Sequence, residues 1–211
     1  MFLAVAMMAA APATNAQQDK NNRPQGQQNP AATDKGVIIN GVKWATRNVD
    51  KPGTFADKPE SAGKFYQWNR KKAWDVTGES VSGWDSSDIS GAAWEKVNDP
   101  SPAGWHVPTL GELQKLLDKE KVNNEWTTLN GVTGRKFTDK ETANSIFLPA
   151  AGFRKFTNGM LDGVGLYGGY WSGTPSGDYT FSLGFHEENS NWWKYYNYPR
   201  IYGFNVRSVA D

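Results

Sequence analysis

Cysteine is absent from all 211 residues. That excludes a disulfide framework, thiolate zinc sites and a cysteine nucleophile. Histidine occurs only twice, which leaves few candidates for general acid–base work. Neither sign of charge dominates, with 23 Lys and Arg against 22 Asp and Glu. Phosphate recognition needs clustered cations, so nucleic acid is not an expected partner. Long apolar runs are missing too: Phe2 to Ala11 falls well short of the ~20 residues a membrane-spanning helix needs. What the chain holds in quantity is tryptophan, ten residues in all. Indole rings supply both core volume and binding surface.

Phe2 to Ala11 has the length of a signal-peptide apolar region, and Thr14-Asn15-Ala16 supplies a small–x–small cleavage pattern. No Lys or Arg precedes the run, which places the expected translation start upstream. Residues 1–16 are therefore read as a cleaved signal peptide, and the protein as exported: secreted, periplasmic or associated with the cell surface. Without cysteine there is no lipid anchor, and the export points to a bacterium that does not rely on oxidative folding. Residues 17–35 are rich in Gln, Asn and Pro. They bury too little to offset their ordering entropy and read as a flexible linker. Residues 36–211 are then one domain, large enough for a full core.

Within that domain, Asn40-Gly41 separates Val37-Ile38-Ile39 from Val42-Lys43-Trp44, a strong short-range hairpin signal. Asn130-Gly131 marks a second hairpin between Trp126–Leu129 and Thr133–Thr138. Asn69 to Gly104 shows no sustained period and is expected to be a long ordered loop, packed down by Trp74, Trp84 and Trp94. Thr109 and Glu112 have capping-box spacing, and Leu110, Leu113, Leu116 and Leu117 follow on one helical face. That helix is predicted to end near Glu120. Tyr179, Phe181, Leu183 and Phe185 alternate with small or polar residues, the pattern of a half-buried strand. Trp192–Tyr198 and Tyr202–Val209 are read as further strands. These elements predict an α+β domain with one or two helices, antiparallel hairpins and long ordered loops.

Six segments carry a family resemblance. They are Asn40-Gly41-Val42-Lys43-Trp44-Ala45-Thr46-Arg47-Asn48-Val49, Gly63-Lys64-Phe65-Tyr66-Gln67-Trp68 and Pro102-Ala103-Gly104-Trp105-His106-Val107-Pro108-Thr109, followed by Phe147-Leu148-Pro149-Ala150-Ala151-Gly152-Phe153-Arg154, Gly169-Tyr170-Trp171-Ser172 and Tyr202-Gly203-Phe204-Asn205-Val206-Arg207-Ser208-Val209. In that order the chain resembles the Fibrobacter succinogenes major paralogous domain family of secreted and surface proteins in Bacteroidetes and Fibrobacteres. The resemblance implies a C-type-lectin-like fold and a setting of adhesion or carbohydrate binding at the cell surface. It extends more distantly to the sulfatase-modifying enzymes. The lectin calcium–sugar signatures and the cysteine pair of those enzymes are both absent. Calcium-independent binding is therefore expected, with no metal and no cofactor. Residues 172–200 also resemble in composition the diversified C-terminal regions of some lectin-like proteins of these bacteria and their phages.

The sharpest candidate site is the segment that includes Asn189, Asn191, Trp192, Trp193, Lys194, Tyr195, Tyr196, Asn197 and Tyr198. Strand alternation places Trp192, Lys194, Tyr196 and Tyr198 on one face and Trp193, Tyr195 and Asn197 on the other. Either one face reaches solvent as a contact surface, or the long loop covers it. Rigid aromatic area with adaptable amides suits a glycan or protein ligand. His106 is read as structural; a catalytic role requires it against a carboxylate in an open cleft. His186-Glu187-Glu188 is a solvated loop or part of a metal site, and Asp85, Asp88 and Asp99 are turn caps or hard-cation ligands. The favoured reading is a binding module without catalytic residues. A component of bacterial surface fibres is the alternative, a hydrolase-like enzyme a weaker one, and the oligomeric state is left open.

Overall fold

The computed structural model describes residues 33–187 and 198–211. Asn40 and Gly41 both take positive φ, 45° and 74°, as a tight two-residue hairpin turn requires. They join β1 (Val37–Ile39) to β2 (Val42–Trp44), with Ile39 opposite Val42. The short strands β3 (Phe65–Tyr66) and β4 (Ala73–Trp74) pair next, and β5 (Trp105–His106) precedes α1 (Leu110–Leu116). Asn130-Gly131 repeats the first turn device, at φ 48° and 84°, between β6 (Val122–Leu129) and β7 (Val132–Asp139). The strand β8 (Ser145–Pro149) extends that sheet, and β9 (Phe153–Arg154) pairs with β10 (Leu161–Asp162). A long hairpin follows, β11 (Tyr167–Ser176) with β12 (Tyr179–His186), and β13 (Tyr198–Pro199) lies along β12. Finally β14 (Val209–Ala210) slots between β2 and β5, giving the order β1-β2-β14-β5.

This architecture overturns the α+β, C-type-lectin-like expectation. Among the described residues there is one α-helix of seven residues, and small antiparallel sheets make up the regular structure. The helix begins as read: the Thr109 hydroxyl accepts from the Glu112 N–H, and the Glu112 carboxylate accepts from the Thr109 N–H. It stops four residues before Glu120 because only Leu113 and Leu116 are fully buried, and the following Asp118–Lys121 offers nothing apolar to continue that face. The half-buried reading of β12 also fails. Thr180 and Ser182 are as buried as Leu183 and Phe185, so the middle of the strand is covered on both faces. Tyr202–Val209 is not a continuous strand: Gly203, Phe204 and Asn205 make single bridges to Arg154, Tyr66 and Tyr170, and Val209 alone joins β14.

The main core lies where β1–β2–β14, α1, the inner face of β6–β7–β8 and the β11–β12 hairpin meet. Trp44, Leu116, Phe137, Leu148, Tyr170 and Phe185 fill it. A second cluster gathers Phe55, Tyr66, Trp68, Trp171 and Phe204. The Trp171 indole N–H reaches the Tyr66 carbonyl at 2.6 Å, and the Trp68 N–H reaches the Ser172 carbonyl at 3.0 Å. Both large rings are thus buried without orphaning their polar edge.

The loop from Asn69 to Gly104 is held by tryptophans and by buried arginines. Trp74 packs on Trp84 (4.8 Å between centroids) and Trp94 on Trp68 (5.7 Å). Arg154, fully buried, donates to four main-chain carbonyls: Asp75 (3.0 and 2.7 Å), Thr77 (2.7 Å), Glu79 (3.1 Å) and Gly159 (3.0 Å). Arg200 donates to the carbonyls of Ile89 (3.2 Å), Gly91 (2.9 Å), Gly177 (2.7 Å) and Tyr179 (3.3 Å), with its guanidinium 4.1 Å from the Trp68 ring centre. Arg207 is also fully buried, bonded to Asn48 Oδ1 and the carbonyls of Ala45 and Phe147; burial pushes its pKa down to about 10, so it stays charged at neutral pH. A guanidinium spreads five donors in a plane, which lets one side chain satisfy several carbonyls at once.

Candidate functional site

The hairpin β11–β12 separates two concavities. Pro175 pairs with Thr180 and Ser176 with Tyr179. Neighbouring strand residues point to opposite faces, so Pro175 and Tyr179 look out from opposite sides of the hairpin tip. On the Tyr179 side lies a groove of about 550 Å³ lined by Asp88, Ser90, Phe156, Asp178, Tyr179 and Arg200. On the Pro175 side lies a cleft of about 630 Å³ bounded by Lys71, Trp94, Lys96, Trp105, His106 and Thr174.

The groove carries exposed aromatic surface. Tyr179 is 48% and Phe156 39% exposed. Phe156 leans on Tyr202 with 5.1 Å between ring centres. The walls are fixed, because Arg200 ties the hairpin tip (Gly177, Tyr179) to the loop opposite (Ile89, Gly91). A groove whose walls are braced before binding loses less entropy when it is filled. Asp88, Asp178 and Ser90 place acceptors and a hydroxyl around the rings.

His106 sits at the edge of the cleft between two carboxylates. Its Nδ1 is 2.9 Å from Asp211 Oδ1 and its Nε2 3.3 Å from Glu112 Oε1. Glu112 raises the His106 pKa most; burial opposes, and Asp211 adds to the rise. This is the placement a catalytic histidine was required to show, a carboxylate partner beside an open cleft. The geometry nevertheless disables a general base. Both nitrogens face carboxylates, which favours the imidazolium and leaves no lone pair to take a proton. The nearby Thr109 hydroxyl bonds Glu112 at 2.8 Å, not His106. The arrangement works as a clip joining β5, the start of α1 and the end of β14.

That clip gives stability a pH dependence of definite sign. His106 has a higher pKa folded than unfolded, so its contribution is complete below about 6.5 and is lost as pH rises through the folded value. The difference in melting temperature between wild type and His106→Gln is expected to be about 2 °C near pH 6 and to vanish by about pH 9, in line with a partly exposed ion pair. A difference independent of pH would show that the clip is not ionic.

Asp85 accepts from the Ser87 N–H and hydroxyl, and Asp99 from the N–H groups of Ser101 and Val107. Both are therefore turn caps. Among the described residues no group of three or more His, Asp or Glu side chains is arranged to hold a metal ion. His186 ends β12, and its carbonyl accepts from Arg135 at 3.0 Å. Of the nine-residue aromatic and amide set, Asn189, Asn191, Trp192, Trp193, Lys194, Tyr195, Tyr196 and Asn197 lie outside the described residues. Tyr198 is described along its main chain, paired with Thr180. That pairing brings the end of the segment to the groove, since Pro199 lines it. No local signal in the sequence marks Phe156. Tyr179 shows there as one residue of an alternating strand, and its position beside the Gly177-Asp178 turn is the signal that its ring stands at a hairpin tip.

A protein-family profile described as a domain of unknown function, DUF8237, matches residues 120–209. The match runs from just before β6 into β14. It includes the hairpin and most of the groove, and leaves out His106 and α1. No curated protein and no solved structure matches the chain. Among the described residues no helix is long and apolar enough to cross a membrane.

Proposed function

We propose that this protein is an exported binding module that takes a glycan in the Tyr179–Phe156 groove, without calcium. The observation that carries the reading is a pair of exposed rings on walls braced by a buried arginine. Rings of this kind stack on the apolar faces of sugars, while Asp88, Asp178 and Ser90 accept and donate to hydroxyls. Groove volume falls within the roughly 300–1,000 Å³ of small-ligand sites. The leader-like start of the chain and the resemblance to a family of bacterial surface proteins support export. A protein ligand would engage the same rings; the carboxylates and hydroxyl of Asp88, Asp178 and Ser90 beside them favour a saccharide. His106, with both nitrogens engaged, lends the catalytic alternative no working base.

A glycan array followed by calorimetry on the strongest hit tests the reading. Tyr179→Ala is expected to weaken binding about ten-fold, the loss typical of an anchoring aromatic, with melting temperature unchanged because the ring is half exposed. Chelator is expected to leave affinity unchanged. Retention of full affinity in Tyr179→Ala and Phe156→Ala would move the site elsewhere.

A further inference from the structure

The cleft on the opposite face of the hairpin differs in charge from the groove. Two aspartates line it, and both are already engaged: Asp99 caps Ser101 and Val107, and Asp211 holds His106, which Glu112 grips from its other nitrogen. Lys71 and Lys96 also line it, and among the described residues neither ammonium has an ion-pair partner. Both side chains are exposed and so able to swing toward a ligand. Among the described residues around the cleft, cations and carboxylates balance in number, but Asp99, Asp211 and Glu112 are held by donors of the protein while Lys71 and Lys96 are free to pair. The groove has Asp88 and Asp178 on its rim, and its one cation among the described residues, Arg200, is tied to main-chain carbonyls.

The rest of the lining is suited to a flat, hydroxylated molecule. Trp94 and Trp105 contribute indole surface. The Trp94 N–H is sealed from solvent without a partner, so the ring offers its apolar area and not a donor. Thr174 accepts from the Leu110 N–H through its hydroxyl oxygen at 2.9 Å, which leaves that hydroxyl's own proton for an acceptor. The 630 Å³ volume is within the range of sites for small ligands.

We infer that this cleft is a second binding site, for a carboxylate-bearing saccharide, with Lys71 and Lys96 pairing the carboxylate and Trp94 and Trp105 facing the sugar ring. The inference does not depend on the groove: the residues are different, and the hairpin wall stands between the two.

The test is calorimetry on the full chain with glucuronic acid and a short uronic-acid oligosaccharide, with the neutral glucose counterpart as control. The acidic probes are expected to bind saturably, and the neutral one at least ten-fold more weakly. Lys71→Gln with Lys96→Gln is expected to reduce acidic binding about ten-fold at unchanged melting temperature, and raising salt from about 50 to 500 mM is expected to weaken it as screening shortens. Tyr179→Ala is expected to leave it intact. Absence of acidic binding up to about 20 mM, equal binding of the neutral probe, or full affinity in the double-lysine variant would each overturn the inference. Loss of acidic binding in Tyr179→Ala would also overturn it, by placing the ligand in the groove.

Discussion

Replacing Arg154 with methionine is expected to cost about 3–5 kcal/mol and lower the melting temperature by about 10 °C. Methionine keeps much of the apolar stem and removes every donor. Four main-chain carbonyls, buried at Gly159 and partly buried at Asp75, Thr77 and Glu79, then lose these donors at once, and Glu79 keeps one other, the Leu161 N–H. A single unsatisfied carbonyl costs about 1–3 kcal/mol, and water entering the loop recovers part of the sum. Lysine does not rescue the position, since its donors radiate from one atom and cannot span a row of carbonyls. Denaturation followed by circular dichroism measures the loss. Hydrogen exchange locates it, with amides near 75–84 predicted to open before those of the β6–β7 ladder. Melting within about 2 °C of wild type would mean that the carbonyls rehydrate freely and that the arginine does not hold the loop.

Gly152→Ala is expected to be nearly as damaging, by a different route. Gly152 has φ +77°, and a Cβ there would stand 2.2 Å from the Asp162 carbonyl oxygen and 2.8 Å from the Val164 nitrogen. The conformational penalty is about 1 kcal/mol, and the clash with main chain adds about 1–3 kcal/mol because backbone cannot rotate away. The Gly152 N–H also bonds the Tyr167 carbonyl at 2.7 Å, so displacement would disturb the start of β11. Gly41→Ala is the control. Its φ is +74°, yet nothing lies within 4 Å of the added carbon, so only the conformational penalty applies. Equal losses in the two variants would show that contact at Gly152 is relieved at no cost.

How much of this was legible beforehand follows the range of each interaction. Asn40-Gly41 and Asn130-Gly131 announce their hairpins because the turn chemistry is local to two residues. The Thr109–Glu112 capping box is local as well. The helix end was misplaced because burial of Leu116 and exposure around Lys119 depend on what packs against them. The burial of Thr180 and Ser182 on β12 comes from distant elements that cover the second face, and alternation within one strand carries no trace of them. The fold class failed for the same reason: short strands of two or three residues acquire their pairing from the rest of the chain, so a β-rich domain read as mixed. The candidate site was legible in part. Tyr179 can be read as a ring at a hairpin tip from the adjoining Gly177-Asp178 turn, whereas the aromatic segment lies outside the described residues except for the main chain of Tyr198. Nothing in the sequence connects Phe156 to that place, or joins His106 to Asp211 across 105 positions.

The oxygens that Arg154 and Arg200 grip between Asp75 and Gly91 belong to the main chain, and every amino acid carries the same oxygen. Part of that loop's course is thus set by two arginines outside it, whichever side chains stand at Ser86, Asp88 and Ser90. Shape and chemistry are separately adjustable there. The rim of the groove can change its letters while keeping its outline, which is what a recognition surface needs when its target varies.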